Sequence, residues 1–245
     1  MDVALVGGKG ASLGELMSIG VKVPPGFVLT TEFDQKKLDE GKEQILKAFD
    51  ELGLDHVAVR SSATAEDGLD NSFAGQFDTF LGVDRDNLIE KIKECFKSLN
   101  SPRIKAYCES KSMDPNEIKM AVVVQEMLDS EVSGVCFTAN PVTRDTNQIM
   151  IEAGIGLGEA VVSGTITPDN YLVDKKTLEI IDKTISNQKD MGDIGKKQKL
   201  SDDLIQELSK QSISIEKHYQ KPMDLEWAVE KNNLYILQAR PITTL

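Results

Sequence analysis

The sequence predicts a mixed α/β protein of the α+β class. Two observations support this prediction: apolar residues recur at helical spacing in some segments, and short apolar runs typical of strands occur in others. The two patterns alternate along the whole chain, which contains no internal repeat and no low-complexity tract. A chain of 245 residues is long enough for one large domain or for two packed lobes, and the pattern alone allows both.

The first half of the chain contains three clear elements. A helix is predicted after the glycine-rich segment Gly7 to Gly10, and Val23 to Gly26, with its two prolines, ends it. A short strand is predicted at Phe27 to Leu29. Apolar residues from Leu88 to Leu99 form one stripe of a second helix, which Ser101-Pro102 is expected to stop.

The second half is richer in strands. Short apolar runs predict strands at Ala121 to Val124, Gly134 to Phe137 and Met150 to Ala153. Tyr171 to Val173 and Leu178 to Ile185 predict a hairpin around Asp174 to Thr177, and the last helix begins near Ser201. The segment Gln188 to Lys199 is rich in Lys, Gly and Asp and is predicted to be a solvated loop.

Charge and cysteine content restrict the classes of function. The chain has 40 acidic and 28 basic residues and a net charge of −12, which disfavours purely electrostatic binding to nucleic acid or to an anionic membrane. A phosphate ligand therefore needs a local cluster of cations or Mg²⁺. Cys95, Cys108 and Cys136 are widely separated and are expected to be buried and reduced. No membrane span or signal sequence is apparent, so we expect a cytoplasmic protein.

A polar face on a C-terminal hairpin is the first candidate site. If Lys231 to Asn233 forms the turn, Glu226 lies opposite Gln238 and Asp224 lies opposite Arg240. Directly opposed residues are close enough for the oxygens of Glu226 and Gln238 to reach one metal ion, and oxygen ligands fit Mg²⁺. The alternative is an acidic hairpin face that is simply solvated.

The opposite face of the same hairpin is expected to be buried. In this register Trp227 and Leu237 share that face, and both are apolar. The hairpin is therefore predicted to be anchored by its apolar side while its polar side is available for a ligand.

The glycine-rich segment Gly7 to Gly10 is the second candidate. It offers free backbone amides at the start of a helix, with Lys9 as a cation at its centre. The spacing is not that of a Walker A loop. An ordinary glycine-rich turn with a surface lysine is the alternative.

The third candidate follows a short apolar strand that ends at Arg60. A guanidinium matches phosphate oxygens, and the hydroxyls of Ser61, Ser62 and Thr64 could add neutral donors. An ion pair of Arg60 with Glu66 or Asp67 is the alternative. The segment Gly68 to Gly75 has the composition of a mobile loop that could cover a ligand.

A second glycine-rich run is the fourth candidate. Gly154, Gly156 and Gly158 could allow close approach of a nucleotide, but a lone Gly-x-Gly-x-Gly run is weakly specific. It does not match the dinucleotide fingerprint.

Taken together, these motifs resemble the ATP-binding domain of the phosphoenolpyruvate synthase and pyruvate phosphate dikinase family, which includes the rifampicin phosphotransferases. The resemblance covers nearly the whole chain. Its most specific parts are Val6 to Leu16, Val59 to Asp67, Ser72 to Gln76, Glu152 to Gly164, Asp224 to Trp227 and Gln238 to Thr243. The run from Arg60 to Asp67 is more similar to the synthase and rifampicin branch than to the dikinase branch.

The resemblance implies an ATP-grasp fold, with two lobes that clamp ATP and Mg²⁺. Residues 1–124 would form the N-terminal lobe, with the phosphate-binding Lys and Arg and the covering loop. Residues 125–245 would form the C-terminal lobe, with the adenine hinge and the metal-binding hairpin. The resemblance implies that Lys9, Arg60 and Arg240 contact the phosphates and are the catalytic residues, with Gly75 and Thr79 nearby in the covering loop. It implies that Gln125, Glu126 and Met127 contact the adenine. Glu226 and Gln238 are the implied Mg²⁺ ligands.

The resemblance also implies a reaction. ATP would pass its β-phosphoryl group to a histidine on a separate swivelling domain, releasing AMP and phosphate, and pyruvate would be the final acceptor. The alternatives are a rifampicin phosphotransferase-type domain or a nucleotide-binding module that transfers nothing. The histidine and pyruvate-binding domains are absent from this chain, so the phosphotransferase is expected to be incomplete.

Two departures from the family pattern are evident. The Thr-Ser-His phosphohistidine motif is absent, and His56 and His218 are expected to be ordinary structural or surface residues. The stretch from Phe33 to Val57 is also shorter than expected, which could weaken ATP binding.

Overall fold

The computed structural model describes residues 2–65, 67–68, 71–72, 77–111, 113–158, 161, 164–187, 194–243 and 245. It divides into two compact units. The first unit comprises Met1–Glu15 and Pro24–Met127, and the second comprises Leu16–Val23 and Leu128–Leu245. The lobe boundary that the resemblance implies lies between residues 124 and 125. The observed division lies three residues later, and residues 16–23 belong to the second unit.

The first half of the chain contains four helices and six strands among the described residues. The helices are α1 Val3–Ser18, α2 Leu38–Leu52, α3 Leu88–Ser98 and α4 Pro102–Ser110. The strands are β1 Gly26–Leu29, β2 Val57–Ala63, β3 Asp67–Gly68, β4 Asn71–Ser72, β5 Thr79–Val83 and β6 Met120–Glu126. Short 3₁₀ turns lie at Gln35–Lys37 and Pro115–Glu117.

An antiparallel sheet organises the first unit. Its strand order is β1-β6-β2-β5, and β3 and β4 form a separate short pair. One face packs on α2 and α3 through a core that contains Val57, Val59, Val122, Val124 and Phe96. The alternation of side chains along a strand therefore turns the even-numbered residues of β2 and the odd-numbered residues of β6 to the other face.

The Ser101-Pro102 pair has a different role from the one predicted. Helix α3 ends at Ser98, as the stripe indicated, but Ser101 caps a new helix by accepting a hydrogen bond from the Ile104 N–H at 3.3 Å. Pro102 is then the first residue of α4, where its missing N–H costs nothing. The pair therefore separates two helices.

The described residues of the second unit include six strands and a long α-helix. The strands are β7 Val132–Phe137, β8 Gln148–Ile155, β9 Asp169–Asp174, β10 Ile180–Thr184, β11 Met223–Glu230 and β12 Asn233–Pro241. The helix is α5 Asp202–Tyr219, and a 3₁₀ turn lies at Ile194–Lys196. The strands form an antiparallel sheet in the order β10-β9-β8-β7-β11-β12. The prediction of a mixed α/β protein is confirmed, and the structure builds it on two main antiparallel sheets.

Helix α5 covers the apolar face of this sheet. Ser201 caps it by accepting from the Leu204 N–H, and Asp202 and Asp203 lie in its first turn, where the helix dipole favours negative charge. The core beneath it contains Tyr171 and Trp227, both almost fully buried. The predicted start of this helix is confirmed.

The C-terminal hairpin has a shorter turn than predicted and an additional residue. Lys231 and Asn232 alone form the turn, with φ values of 49° and 59°, as in a type I′ turn. A β-bulge shifts the register between Glu226 and Trp227, and Trp227 pairs with Ile236. The prediction that Trp227 shares its face with Leu237 is wrong, because Leu237 is the additional residue of the bulge.

A buried ion pair ties the segment after β10 to the sheet. The Lys199 Nζ lies 2.9 Å from the Asp169 carboxylate, and these side chains are 1% and 0% exposed. The same carboxylate accepts from the Tyr171 hydroxyl and from the Ser186 N–H and hydroxyl. The predicted solvated loop is therefore wrong for Lys199, while residues 188–193 of that loop lie outside the described part.

Two further predictions concern composition. Cys95, Cys108 and Cys136 are all buried free thiols, as predicted. Burial raises the pKa of the Cys95 thiol to about 11 and that of Cys136 to about 12, so both are protonated at neutral pH. In the part of the chain that the structure describes, no helix is long and apolar enough to cross a membrane.

Candidate functional site

In the first unit, the candidate residue Lys9 follows a sharp break in helix α1. The backbone at Gly7 has φ 69° and ψ 177° inside an otherwise helical segment. This conformation is almost exclusive to glycine. A Cβ at Gly7 would also overlap the carbonyl oxygen of Ser62. The glycine-rich segment therefore opens the second part of a broken helix, and half-buried Lys9 lies directly after the break.

The serines after Arg60 are fully buried and point to opposite faces of β2. The Ser62 hydroxyl donates to the Val6 carbonyl at 2.8 Å and accepts from the Gly10 N–H at 3.1 Å. The Ser61 hydroxyl lies 3.4 Å from that of Ser98 in α3. The prediction that these two hydroxyls are donors to a phosphate is wrong, because both are 0% exposed and engaged within the first unit.

Arg60 and Thr79 are brought together by the sheet. They are directly opposed on β2 and β5, so their side chains share the face that also carries Ser62. On its other side Arg60 is opposed to Val123 of β6. The predicted neighbour Gly75 lies outside the described residues, as does Glu66, one of the two alternative ion-pair partners.

The predicted adenine contacts lie at the end of β6. Gln125 is buried, and its side-chain amide donates to the Pro24 carbonyl at 3.3 Å. The backbone N–H of Glu126 donates to the Pro25 carbonyl, and the sulfur of Met127 accepts from the Gly82 N–H at 2.8 Å. The segment is thus fixed at its backbone and side chains, and the first unit ends at Met127.

In the second unit, the sheet face opposite α5 carries a row of polar side chains. Gln238 of β12 is directly opposed to Glu226 of β11, as the sequence predicted. The row continues through Val135 of β7 and Glu152 of β8 to Asn170 of β9. Directly opposed residues in antiparallel strands point to the same face, so Gln238, Glu226, Glu152 and Asn170 share this face, and the apolar Val135 separates the two carboxylates.

The neighbouring row contains the predicted pair of Asp224 and Arg240. Two nitrogens of Arg240 lie 2.9 and 2.8 Å from the same oxygen, Oδ2, of Asp224. The other oxygen, Oδ1, is buried and has no hydrogen-bond partner among the described residues. A buried carboxylate oxygen of this kind is costly unless a further group binds it.

Burial also perturbs the carboxyl groups on this face. It raises the pKa of Asp224, and Glu226 acts in the same direction while Arg240 opposes it. Burial likewise raises the pKa of Glu152, with a further contribution from the charge of Asp224. Carboxylates that repel one another in a partly dry site bind a cation more favourably than isolated surface carboxylates do.

The donors on this face fit Mg²⁺. Glu226 and Gln238 supply oxygen ligands from opposed positions, and Asp224 presents a buried oxygen two residues away on the same face. Over the described ranges, no group of three or more His, Cys, Asp or Glu residues forms a metal site. Mg²⁺ is commonly bound by one or two carboxylates, with water and phosphate completing its shell.

The second glycine-rich run has local packing roles. A Cβ at Gly154 would lie 2.5 Å from a side-chain carbon of Val161 and 2.6 Å from one of Ile166. Gly156 has a φ of 81°, and its carbonyl accepts from the Ser133 hydroxyl. Tight packing and backbone conformation therefore explain these two glycines without a nucleotide.

Sequence reasoning missed three residues that the structure brings to the candidate groups. From the sequence, Ser62 is a candidate phosphate donor and Asp224 is a residue opposite Arg240. Glu152 is only the first residue of a segment that resembles the family. Strand alternation could assign each side chain to a face, but which strands are neighbours depends on the sheet order. That order places Glu152 in the row of Glu226.

Comparison with known proteins identifies the family. The family model described as "Pyruvate phosphate dikinase, AMP/ATP-binding domain" matches residues 3–51 and 35–245. The chain therefore belongs to this family, and the resemblance seen in its motifs is confirmed.

Two curated relatives match the whole chain. A probable phosphoenolpyruvate synthase from Methanocaldococcus jannaschii is 42% identical over 307 residues, and this chain spans 26% of its length. The phosphoenolpyruvate synthase of Pyrococcus furiosus is 37% identical over 347 residues, and this chain spans 42% of its length. Both alignments are longer than the 245 residues of this chain, so the relatives have additional residues within the matched region. The two matched ranges of the family model overlap at residues 35–51, inside the stretch from Phe33 to Val57 that is shorter than expected.

A solved structure is similar over most of the chain at low identity. The D-alanine–D-alanine ligase from Helicobacter pylori has 12% sequence identity and a TM-score of 0.48. The match covers 97% of this chain and 54% of the ligase.

Proposed function

We propose that this chain binds Mg-ATP and donates the β-phosphoryl group of ATP to a histidine on a separate domain. The observation that carries the proposal is the polar face of the second unit, where Glu226 is opposed to Gln238 beside the buried Oδ1 of Asp224. Membership of a family whose model is described as an AMP/ATP-binding domain supplies the nucleotide. The ATP-grasp assignment and the lobe boundaries of the sequence analysis are part of this proposal.

The cations of the chain would neutralise the phosphates. Lys9 and Arg60 of the first unit and Arg240 of the second are all half-buried, where a charge acts more strongly than in bulk water. Phosphoryl transfer depends mainly on positioning and on fixed positive charge. Asp224 binds Arg240 through one oxygen, and this contact would orient the guanidinium for the nucleotide.

Glu226 and Gln238 would bind Mg²⁺, with Asp224 contributing through its buried oxygen. When bound, the ion would screen the charge of the phosphate oxygens. The same residues would thereby lose the cost of their mutual repulsion.

The base would be contacted at the end of β6. Gln125, Glu126 and Met127 lie at its close, and their internal contacts with Pro24, Pro25 and Gly82 would keep the segment rigid for adenine. Thr79, opposed to Arg60, would lie beside the phosphates, and Gly75 would act from the covering loop. These roles derive from the family resemblance and stay predictions.

The final acceptor would be pyruvate, as the names of the relatives indicate for those proteins. The 245 residues span 26% and 42% of these two relatives, and the histidine and pyruvate-binding domains would lie outside these residues. The reaction balances as ATP, histidine and water giving AMP, phosphate and phosphohistidine. The cytoplasmic location also stays a prediction.

A product assay tests the proposal. The chain is incubated with Mg-ATP and the separately prepared histidine domain of a phosphoenolpyruvate synthase, and the nucleotides are separated. We expect AMP and phosphate in equal amounts, and Glu226→Gln should lower the rate roughly 100-fold or more. Glu230→Gln is the matched control, because it lies on the same strand and binds the Asp129 N–H.

The other outcomes identify what fails. Formation of ADP would show transfer of the γ-phosphoryl group and contradict the proposal. Binding of Mg-ATP without any turnover would indicate a nucleotide-binding module. A rifampicin phosphotransferase-type domain would also form AMP, and the two are distinguished by offering pyruvate or the drug with the cognate domains.

A further inference from the structure

Backbone groups on both sides of the break at Gly7 form hydrogen bonds with residues outside helix α1. Before the break, the carbonyl of Ala4 accepts from the Thr31 hydroxyl at 2.7 Å and that of Leu5 from the Thr31 N–H at 2.8 Å. The last one, the Val6 carbonyl, accepts from the Ser62 hydroxyl at 2.8 Å. Groups of this kind at a helix end need partners from elsewhere in the protein.

The same Ser62 hydroxyl also serves the segment after the break. It accepts from the Gly10 N–H at 3.1 Å, as an N-cap residue does for a helix that starts at Gly8. One fully buried hydroxyl therefore forms hydrogen bonds both with the end of one helical segment and with the start of the next. Lys9 lies between the two bonds, one residue before Gly10.

Strand β2 couples this contact to Arg60. Residues two apart on a strand point to the same face and are separated by roughly 6.5–7 Å, so Arg60 and Ser62 face the same side. The contacts of Ser62 with Val6 and Gly10 thus fix the backbone around Lys9 to the strand that carries Arg60. The distance between the two cations depends on this attachment.

We infer that Ser62 is a positioning residue for phosphate binding: its hydroxyl sets the backbone of Gly8 to Gly10, and thereby the Lys9 ammonium, relative to the Arg60 guanidinium. The inference rests on the proposed function. Ser62 does not touch the nucleotide, and it acts through Lys9. Losing its hydroxyl weakens the recognition of phosphate and leaves recognition of the base unchanged.

The neighbouring Ser61 provides a matched control. It is on the same strand, is equally buried at 0% exposed, and its hydroxyl contacts Ser98 and Cys95 on the core face. Ser61→Ala therefore removes a buried hydroxyl from β2 without affecting the break at Gly7. A merely structural role for Ser62 predicts similar effects from both substitutions.

The first test compares ligands with and without phosphate. The dissociation constants for Mg-ATP and for adenosine are measured by titration to millimolar ligand for the parent, Ser62→Ala and Ser61→Ala. We expect Ser62→Ala, which removes the hydrogen bonds to Val6 and Gly10, to weaken Mg-ATP binding roughly tenfold and to leave adenosine binding unchanged. Ser61→Ala should alter neither affinity. Equal weakening of both ligands by Ser62→Ala, or the same loss from Ser61→Ala, overturns the inference.

The second test asks whether Ser62 acts through Lys9. The same titration is made with Lys9→Ala and with the double variant. If the hydroxyl works by placing the ammonium, Ser62→Ala costs less than about twofold once Lys9 is absent. A full tenfold loss in the Lys9→Ala background contradicts the inference.

Two further outcomes are separable. If the parent itself binds no Mg-ATP at millimolar concentration, the proposed function fails; if the parent binds and Ser62→Ala binds equally well, only the positioning role fails. Should Ser62→Ala not fold, the comparison is made with Ser62→Cys, which keeps a similar volume and a weak donor. An unchanged preference of that variant for ATP over adenosine contradicts the inference.

Discussion

The two units place their ion pairs in different environments. In the first unit the ion pair of Arg85 and Asp50 lies at the surface: each side chain is 49% exposed although the contact is bidentate. In the second unit, Lys199 and Asp169 are buried almost completely, and Asp224 is largely buried beside Arg240. The second unit therefore contains buried ion pairs, whereas the first contains buried hydrogen bonds of neutral groups such as those of Ser62 and Gln125.

This difference explains how each unit fixes its candidate groups. In the first unit, Lys9 and Arg60 are positioned by backbone conformation at Gly7 and by the Ser62 hydroxyl. In the second, Glu226 and Gln238 are positioned by sheet register. Substitutions that act on charge should therefore damage the second unit most, and substitutions that act on backbone conformation should damage the first.

Removing the buried lysine is expected to have the largest effect. Lys199→Met leaves the Asp169 carboxylate buried without its counter-charge, and we expect a loss of about 3–5 kcal/mol in the free energy of unfolding. Arg85→Met, which breaks an exposed pair, should lose only a small fraction of that. Denaturant unfolding of both variants measures the difference, and equal losses would contradict the comparison.

The pH dependence of the Lys199→Met loss has a definite sign. Burial raises the pKa of Asp169, but hydrogen bonds from Lys199, Ser186 and Tyr171 outweigh it and lower the pKa below its ordinary value. This stabilisation is therefore present above the unfolded-state pKa and is lost as pH falls through the folded-state pKa. The variant lacks it, so parent and variant should differ most at neutral pH and converge in acid. A difference that grows in acid would contradict this.

Adding a methyl group at the helix break should have the next largest effect. Gly7→Ala forces a non-glycine residue into a conformation that only glycine adopts readily, and its Cβ overlaps the Ser62 carbonyl. We expect a loss of about 2–5 kcal/mol in unfolding free energy. Gly53→Ala is the control: it has a φ of 67° but nothing within 4 Å of the added carbon, and should lose about 1 kcal/mol. Similar losses in denaturant unfolding would show that the contact with Ser62 is unimportant.

The hairpin turn should give the smallest effect. Lys231 occupies a left-handed conformation with φ 49°, which asparagine tolerates better than lysine. Lys231→Asn should raise the free energy of unfolding by about 0.5–1 kcal/mol, whereas Lys231→Ala should not. A thermal melt of the two variants decides it, and stabilisation by both would exclude the turn conformation as the cause.

The sequence predicted the opposed pair of Glu226 and Gln238 although it misjudged the turn. A three-residue turn without a bulge gives the same register at Glu226 as a two-residue turn with a bulge between Glu226 and Trp227. The bulge could not be predicted, because it depends on how Ile236 and Trp227 pack in the core. The polar face was predictable from alternation alone.

Other features depended on contacts distant in sequence. Lys199 lies in a stretch of loop composition, and only the fold brings it to Asp169, 30 residues earlier. The two serines after Arg60 could be assigned to opposite faces of a strand, but the sequence does not show what covers each face. In both cases tertiary packing supplies a buried partner that local composition does not show.

We expect Lys9 and Glu226 both to contribute to binding of Mg-ATP, and the decisive measurement is the melting temperature with and without Mg-ATP. At a ligand concentration 100 times the dissociation constant, binding stabilises the folded state by about 2.7 kcal/mol, a rise of roughly 5–10 °C for a chain of this size. We expect that rise in the parent and its loss in both Lys9→Ala and Glu226→Ala. No rise in the parent at millimolar Mg-ATP, or an undiminished rise in both variants, would contradict the account.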